Sequence, residues 1–242
     1  MSNKIDYVIM GSTKDAMYLD FWPLVSKVWK TKYGVTPVLG LISDKDTELI
    51  ETEHGLIKEF KSVDLVDQGL QSQIVRLFLP KILSGFCMLS DIDMFPTSKQ
   101  YFEDKYRLIT EDNVVIYSSN HPQTINEKMF PICYVSAHSS IFNKIFNLQL
   151  SWEDFCVSLH SRNWGWYTDQ KYLFENIINF GNANGDVILL DREWKSNISN
   201  RIDRGQWGYD ITLLKKGYYI DCHSLRPYQK YKNEIDALIN LL

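Results

Sequence analysis

The sequence predicts an α/β fold in which a mostly parallel, mixed central sheet is flanked by helices. The order of its elements favours this fold, and its composition is compatible with it. Short apolar runs alternate with segments of helical periodicity, beginning with a strand at 5–10, a helix at 20–33 and a strand at 37–42. Hydrophobic residues make up 45% of the chain and charged residues 23%, proportions typical of a soluble globular protein. A strand–helix–strand unit places two parallel strands in one sheet.

The remaining elements are predicted from the same local patterns. Asp20 is expected to cap the first helix, with Pro23 in its first turn. Pro80 is expected to bend or shorten a helix at 70–83. Further strands are predicted at 56–60, 86–89, 114–117, 187–190 and 218–221, and further helices at 168–180 and 232–241. The aromatic segment 122–165 has weak periodicity and is expected to be irregular.

Bulk composition argues against several classes of protein. The net charge is −4 and no basic stripe is visible, which argues against nucleic acid as a partner. The four cysteines include no C-x-x-C pair, so neither a zinc site nor a disulfide framework is expected. The sequence has no run of about 20 apolar residues, so we expect no transmembrane segment and a cytoplasmic protein.

Two aspartates follow the apolar strand predicted at 86–89. Asp91 and Asp93 are spaced so that both carboxylates can face one side, where they would offer hard oxygen ligands to Mg²⁺ or Mn²⁺. In open α/β sheets, ligands bind beyond the carboxyl ends of the strands. A cation held there would offset the charge that builds on a diphosphate leaving group. The alternative is that the two aspartates only cap a turn.

The segment that carries these aspartates, QIVRLFLPKILSGFCMLSDIDMFP at 73–96, resembles the nucleotide-binding core of GT-A glycosyltransferases. The resemblance is to the glycogenin and bacterial galactosyltransferase type, in which an Arg-bearing helix leads into a strand and then Asp-x-Asp. The compact length and the aromatic middle segment are also similar to small glycosyltransferase domains encoded by large algal viruses. A short Ser84-Gly85 connection departs from the pattern. The resemblance implies a single GT-A type domain over 1–242, with a nucleotide-sugar-binding half at about 1–120 and an acceptor-binding half at about 121–242.

The same resemblance implies a donor site for a nucleotide-sugar, with UDP as the expected nucleotide. The residues it places there are Gly11, Ser12, Thr13, Asp44, Arg76, Ser90 and Asp91. The loop at 11–13 would hold the base and ribose, Asp44 would contact uracil or ribose, and Arg76 would reach the nucleotide or diphosphate. The first loop is not G-x-G-x-x-G and the chain has no P-loop, which argues against a dinucleotide cofactor or a P-loop nucleotidase.

Metal ligands and the acceptor side are implied in the same way. Asp91, Asp93 and His223 would bind the divalent cation, Mn²⁺ or Mg²⁺, and Arg226 would steady the diphosphate leaving group. Asp169, which opens the predicted helix in a Thr-Asp-Gln sequence, would serve the acceptor, as general base if transfer inverts the anomeric centre. Plainer alternatives are a structural histidine at 223 and a carboxylate at 169 favoured by the helix dipole.

The function expected from these residues is metal-dependent transfer of a sugar from a UDP-sugar to a glycan or other hydroxyl acceptor, with retention. Trp164 and Trp166 could stack on an acceptor sugar or belong to the core. Two other functions remain open. A non-catalytic carbohydrate-binding module would need only an aromatic patch. An aspartyl phosphatase-like enzyme would want Thr or Val where this chain has Phe95.

Overall fold

A mixed sheet of eight strands forms the centre of the protein in a computed structural model, which describes residues 4–146, 148–195 and 198–242. The strands in chain order are β1 (Tyr7–Ser12), β2 (Thr36–Ser43), β3 (Ile50–Thr52), β4 (Gly55–Lys61), β5 (Phe86–Leu89), β6 (Met94–Pro96), β7 (Asn113–Ile116), β8 (Val135–His138), β9 (Asp186–Leu189), β10 (Trp194–Lys195), β11 (Ile198–Ser199), β12 (Arg201–Asp203) and β13 (Asp221–His223). The order across the large sheet is β3-β4-β2-β1-β5-β8-β7-β9.

The pairing of these strands confirms the predicted mixed, mostly parallel sheet. Strands β4, β2, β1 and β5 run parallel to one another, and β7 runs parallel to β9. Strand β8 is antiparallel to both β5 and β7, and β3 is antiparallel to β4. A smaller sheet pairs β13 in parallel with β12 and antiparallel with β6. Strands from both predicted halves therefore share one sheet.

Helices flank this sheet and complete the predicted α/β architecture. They are α1 (Ala16–Leu19), α2 (Trp22–Val28), α3 (Gln68–Phe78), α4 (Lys99–Tyr106), α5 (Pro122–Glu127), α6 (Ser139–Phe146), α7 (Trp152–His160), α8 (Thr168–Asn182), α9 (Ile211–Lys215) and α10 (Lys232–Ile239). Helix α3 packs on β1 and β2 and also contacts α6, α7 and α8. The central strands are buried at 8–10, 87–89 and 114–116, which is why they form continuous apolar runs in the sequence.

Prolines set the ends of two predicted helices. The helix predicted at 20–33 is α2 followed by a π-helical turn at 29–33, and α1 ends at Leu19, just before it. Asp20 is the C-cap of α1 rather than an N-cap. Pro23 lies in the first turn of α2, as predicted, and it separates α2 from α1 because it has no N–H to donate to the carbonyl of Leu19 four residues earlier. The prediction for Pro80 is confirmed, since α3 ends at Phe78 and continues only as a 3-10 turn.

The prediction of an irregular segment at 122–165 is wrong. That segment contains α5, α6 and α7, and it contributes β8, which is hydrogen-bonded between β5 and β7. Strand β8 carries polar side chains within the sheet, and the buried Ser136 hydroxyl donates to the Tyr117 hydroxyl at 3.0 Å. Apolar continuity therefore does not mark β8, and its alternation of apolar and polar residues extends over only four residues. The strand predicted at 218–221 is also displaced, because β13 begins at Asp221.

Gly11 lies at the point where β1 passes beneath α3, although the sequence predicts a loop there. Gly11 and Ser12 are the last two residues of β1, and a Cβ on Gly11 would lie 2.1 Å from the backbone oxygen of Ser72 in α3. Backbone cannot move aside as a flexible side chain can. We therefore expect Gly11→Ala to lower the free energy of unfolding by about 1–3 kcal/mol, the usual cost of overpacking.

Urea denaturation of Gly11→Ala measures this cost. Gly208→Ala is the matched control, because no atom lies within 4 Å of the position of its added Cβ. The control should unfold like the wild type. Equal unfolding free energies for Gly11→Ala and the control would show that α3 does not approach β1 closely enough to clash with a Cβ at position 11.

Candidate active site

A cleft of about 600 Å³ opens beside the carboxyl ends of the parallel strands β1 and β5. It gathers residues that are far apart in the sequence. Those that line it and were predicted as site residues are Gly11, Ser12, Thr13, Arg76, Asp91, Asp93, Trp166, Asp169, His223 and Arg226. This is the position in which open α/β sheets bind their ligands. The topology thus brings most of the predicted site together.

Three predicted residues do not line the cleft. Ser90 is fully buried directly before Asp91. The exposed Asp44 accepts a 2.7 Å hydrogen bond from the Lys14 ammonium, and it is Lys14 that lines the cleft. Trp164 lines a separate cavity of about 340 Å³. Of the two tryptophans, only Trp166 is available to a ligand in the cleft.

Asp93 is the most heavily partnered carboxylate of the cleft. Its Oδ2 accepts a 2.6 Å hydrogen bond from Nη1 of Arg204. The same oxygen lies 3.7 Å from Nε2 of His223 and 3.7 Å from Nε of Arg226. Burial alone would raise the pKa of Asp93, but His223, Arg204 and Arg226 together hold it well below its ordinary value. Asp93 is therefore an ionised carboxylate under a cluster of cationic groups.

His223 is oriented by a second carboxylate. The pairing of β12 with β13 places Asp203 directly beside His223, and Nδ1 of the ring lies 3.3 Å from Oδ2 of Asp203. Burial lowers the pKa of His223, but the contacts with Asp203 and Asp93 raise it above its ordinary value. The contact with His223 is also the main reason that the pKa of Asp203 falls to about 2. The other ring nitrogen, Nε2, is left facing Asp93.

The donor atoms around Asp93 fit a divalent cation with two protein ligands. A metal-binding histidine usually donates its second ring N–H to a carboxylate, as His223 can to Asp203. Mg²⁺ is commonly held by one or two carboxylates together with substrate phosphates and water. Asp91, the third predicted ligand, is instead paired with Arg76. Among the residues that the structure describes, no group of three or more His, Cys, Asp or Glu side chains is placed to hold a metal.

Arg76 binds protein acceptors rather than an open position in the cleft. It is 5% exposed, and it donates to the carbonyl of Ser90 at 3.1 Å and to the carboxylate of Asp91. Its Nη2 donates to Oδ2 of Asp169 at 2.7 Å. Because the Arg76 guanidinium is already engaged by these protein acceptors, it does not offer the predicted contact with a diphosphate in this arrangement. Arg76 instead joins the Asp-x-Asp segment to the start of α8.

Asp169 is buried where α8 begins. Its Oδ1 accepts a 2.8 Å hydrogen bond from the backbone N–H of Gln170, and its Oδ2 is held by Arg76. Burial raises the pKa of Asp169 above its ordinary value, although Arg76 opposes this effect. The carboxylate predicted to serve the acceptor thus has both oxygens engaged by the protein.

Arg226 is held against an aromatic ring at the cleft. Its guanidinium lies 5.0 Å from the centre of the Tyr18 ring, and Nη1 donates to the Tyr18 hydroxyl at 2.5 Å. These two contacts restrict the side chain, since stacking and a hydrogen bond fix both its plane and its reach. Arg226 therefore presents a positioned cation beside Asp93.

Sequence reasoning missed Asp203, Arg204 and the residues that follow β1, namely Lys14, Asp15 and Tyr18, which line the cleft together with Arg204. Strand β12 has only three residues, too few to show periodicity. The one available signal is the Asp-Arg pair at 203–204, which directly follows Ile202.

A larger cavity, of about 840 Å³, lies elsewhere on the protein. It is lined mainly by apolar residues of α2, β2 and β4, with Lys27 and Lys30 among its polar members. None of the predicted site residues lines it. Of these two cavities, it is the cleft of about 600 Å³ that holds the interacting carboxylates, arginines and histidine described above.

No helix in the described parts of the chain combines the length and the apolar character needed to cross a membrane. No family model matches the sequence, and no curated protein matches it. Among solved structures, the chain is similar to a glycosyltransferase involved in the glycosylation of the major capsid of PBCV-1. The alignment covers 97% of this chain and 99% of that chain, with 10% sequence identity and a TM-score of 0.49. These values are too low to assign an activity.

Proposed function

We propose that this protein is a glycosyltransferase that moves a sugar from a UDP-sugar to a hydroxyl of a glycan acceptor, with a divalent cation and with retention. The observation that carries the proposal is the convergence of Asp93, His223 and Arg226 in one cleft beside the carboxyl ends of β1 and β5. These residues place an imidazole and a guanidinium each within 4 Å of one carboxylate, a set suited to a diphosphate and its cation.

The nucleoside part of the donor would lie against the end of β1. Ser12 and Thr13 line the cleft there, and Gly11 lets the strand pass close to α3. Lys14 offers a cation at the same end of the cleft, tethered to Asp44. Asp44 therefore contributes to donor binding through Lys14 in this proposal, rather than through the predicted contact with uracil or ribose.

The diphosphate would lie beside Asp93. Arg226 and Arg204 would donate to its oxygens, because guanidinium groups bind phosphate with paired, charge-assisted hydrogen bonds. Asp93 and His223 would hold the divalent cation, which when bound supplies positive charge against the diphosphate leaving group. Fixed cations placed where negative charge develops stabilise the transition state without further reorganisation.

The acceptor would approach from the side of Trp166. This side chain is 61% exposed at the cleft, and a flat exposed ring of this kind can stack on a sugar. Asp169 lies nearby but is committed to Arg76, which supports retention over an inverting route that needs a free general base. In the transfer, the bond from sugar C1 to the diphosphate oxygen breaks and a bond from C1 to the acceptor oxygen forms on the same face. The acceptor proton passes to the departing phosphate.

A thermal-shift titration with UDP, with and without Mn²⁺, tests the proposal. A ligand at about 100 times its dissociation constant adds about 2.7 kcal/mol to stability, which is a readily measured shift. We expect the wild type to need both UDP and Mn²⁺ for this shift. Asp93→Asn should lose it, because the variant removes the charge that faces Arg204, Arg226 and His223.

Asp112→Asn is the matched control, since it removes an exposed carboxylate that does not line the cleft. It should respond as the wild type does. A wild type that ignores UDP, GDP and dTDP with Mn²⁺ would contradict the proposal and favour a binding module. An unchanged shift in Asp93→Asn would remove Asp93 from the site.

A further inference from the structure

Arg204 occupies the position at Asp93 that a cation would need. Its Nη1 lies 2.6 Å from Oδ2 of Asp93, the same oxygen that faces Nε2 of His223. The Arg204 side chain is 27% exposed, whereas that of Asp93 is 7% exposed. The guanidinium therefore lies on the accessible side of a nearly buried carboxylate. A metal ion that takes this position at Oδ2 has to displace the guanidinium.

Two features make Arg204 the movable cation and Arg226 the fixed one. Arg226 is stacked on Tyr18 and hydrogen-bonded to its hydroxyl. Asp93 is the acceptor with which the Arg204 side chain forms its ion pair. The backbone around Arg204 is nevertheless held, because Oδ1 of Asp203 accepts a 2.8 Å hydrogen bond from the N–H of Gly205. The Arg204 side chain can therefore move while the backbone turn that carries it stays in place.

The positive charges around Asp93 oppose the binding of a divalent cation in the absence of a nucleotide. A divalent ion at Asp93 would lie close to the guanidinium groups of Arg204 and Arg226, which already share the charge of this one carboxylate. A diphosphate changes this balance, because its oxygens accept hydrogen bonds from the displaced guanidinium and also coordinate the metal. Cation and diphosphate should then each favour the binding of the other.

We propose that Arg204 is a displaceable counter-cation of Asp93. Its guanidinium leaves that carboxylate and binds the diphosphate, and this movement couples cation binding to nucleotide binding. The proposal rests on the proposed function, since it takes a nucleoside diphosphate and a divalent cation as the ligands. Arg204 acts here as a positioning residue for the cation and as a direct contact of the diphosphate. Sites coupled in this way change each other's affinity by the same factor, commonly about 5–150-fold.

Replacing Arg204 should separate the two binding events. In Arg204→Met the carboxylate of Asp93 is no longer blocked by this guanidinium, so Mn²⁺ alone should bind about tenfold more tightly than to the wild type, within the usual range of such couplings. UDP should bind more weakly in the presence of Mn²⁺, because one diphosphate contact is lost. The factor by which UDP tightens Mn²⁺ binding should fall accordingly. Arg204→Lys keeps the charge and should keep most of the coupling.

The experiment measures free Mn²⁺ by electron paramagnetic resonance, with and without UDP, and UDP binding by calorimetry, with and without Mn²⁺. Arg107→Met is the control, because it removes one positive charge from an exposed position that does not line the cleft. Circular dichroism verifies that each variant is folded. The expected result is tighter binding of Mn²⁺ alone and reduced coupling in Arg204→Met, with Arg107→Met like the wild type.

Two results would overturn the proposal and are distinguishable. If the wild type binds UDP with Mn²⁺ and Arg204→Met shows the same Mn²⁺ affinity and the same coupling factor, Arg204 is not the coupling residue and the proposed function stands. If the wild type binds no UDP at any Mn²⁺ concentration, both this proposal and the proposed function fail.

Discussion

Arg76→Met is expected to lower the free energy of unfolding by about 3–5 kcal/mol, the usual cost of removing one partner from a buried ion pair. The guanidinium of Arg76 is the shared counter-charge of Asp91 and Asp169. The side chains of Arg76 and Asp169 are only 6% and 2% exposed, so water cannot replace the lost cation at Asp169. The variant leaves a buried carboxylate beside the Asp-x-Asp segment.

A double-mutant cycle isolates this effect. Arg76→Met, Asp169→Asn and the double variant are unfolded in urea, and the interaction energy is the deviation from additivity. The double variant should be more stable than Arg76→Met alone, because it no longer contains the uncompensated charge of Asp169. Arg76→Lys should lie between the wild type and Arg76→Met, since lysine keeps the charge but cannot reach two carboxylates and the carbonyl of Ser90 together.

If the change in unfolding free energy of the double variant equals the sum of the changes in the two single variants, Arg76 and Asp169 do not stabilise each other. That result would contradict the role assigned to Arg76. The same cycle bears on function. If Arg76 positions Asp91 for the donor, the Arg76→Met variant should also lose the UDP-dependent thermal shift, and a folded Arg76→Lys variant should retain part of that shift.

The parts of the site that could be predicted are those that follow long or strongly apolar strands. Strands β1 and β5 are buried, so their apolar runs and the ends of those runs are visible in the sequence. Residues 11–13 and Asp91 and Asp93 can therefore be assigned to one edge of a sheet from the sequence alone. The resemblance around Asp-x-Asp then adds His223 and Asp169, which the fold brings to the same cleft.

The remainder depends on contacts that no local pattern records. Strand β8 has only four residues, two of them polar, and it is a strand because β5 and β7 bond to it on both sides. Arg204 becomes a site residue only because β12 pairs with β13, which places Asp203 next to His223. Arg76 illustrates the same limit, since its sequence position suggests a ligand contact while its neighbours in space are two carboxylates.

Asp221→Asn is expected to lower the free energy of unfolding as much as Arg76→Met does, because Asp221 neutralises two arginines. Its carboxylate accepts paired hydrogen bonds from Arg192, at 3.0 and 2.7 Å, and from Arg201, at 2.8 and 3.0 Å. The side chains of Arg192 and Asp221 are 1% and 0% exposed. We expect the free energy of unfolding to fall by about 3–5 kcal/mol. Arg201→Met should cost less, because Arg201 is 20% exposed and its loss still leaves Asp221 paired with Arg192.

The pH dependence of this difference tests whether the charge of Asp221 is the cause. Burial would raise the pKa of Asp221, but Arg192 and Arg201 outweigh it and hold the pKa below its ordinary value. A carboxylate whose pKa is lowered by folding contributes stability that is fully present above its unfolded pKa of about 4 and is lost as the pH falls through its folded pKa. The difference between the wild type and Asp221→Asn in urea unfolding should thus be constant at neutral pH and shrink below about pH 4. A difference that persists unchanged in acid would mean that the shape of the aspartate, rather than its charge, holds β13 in place.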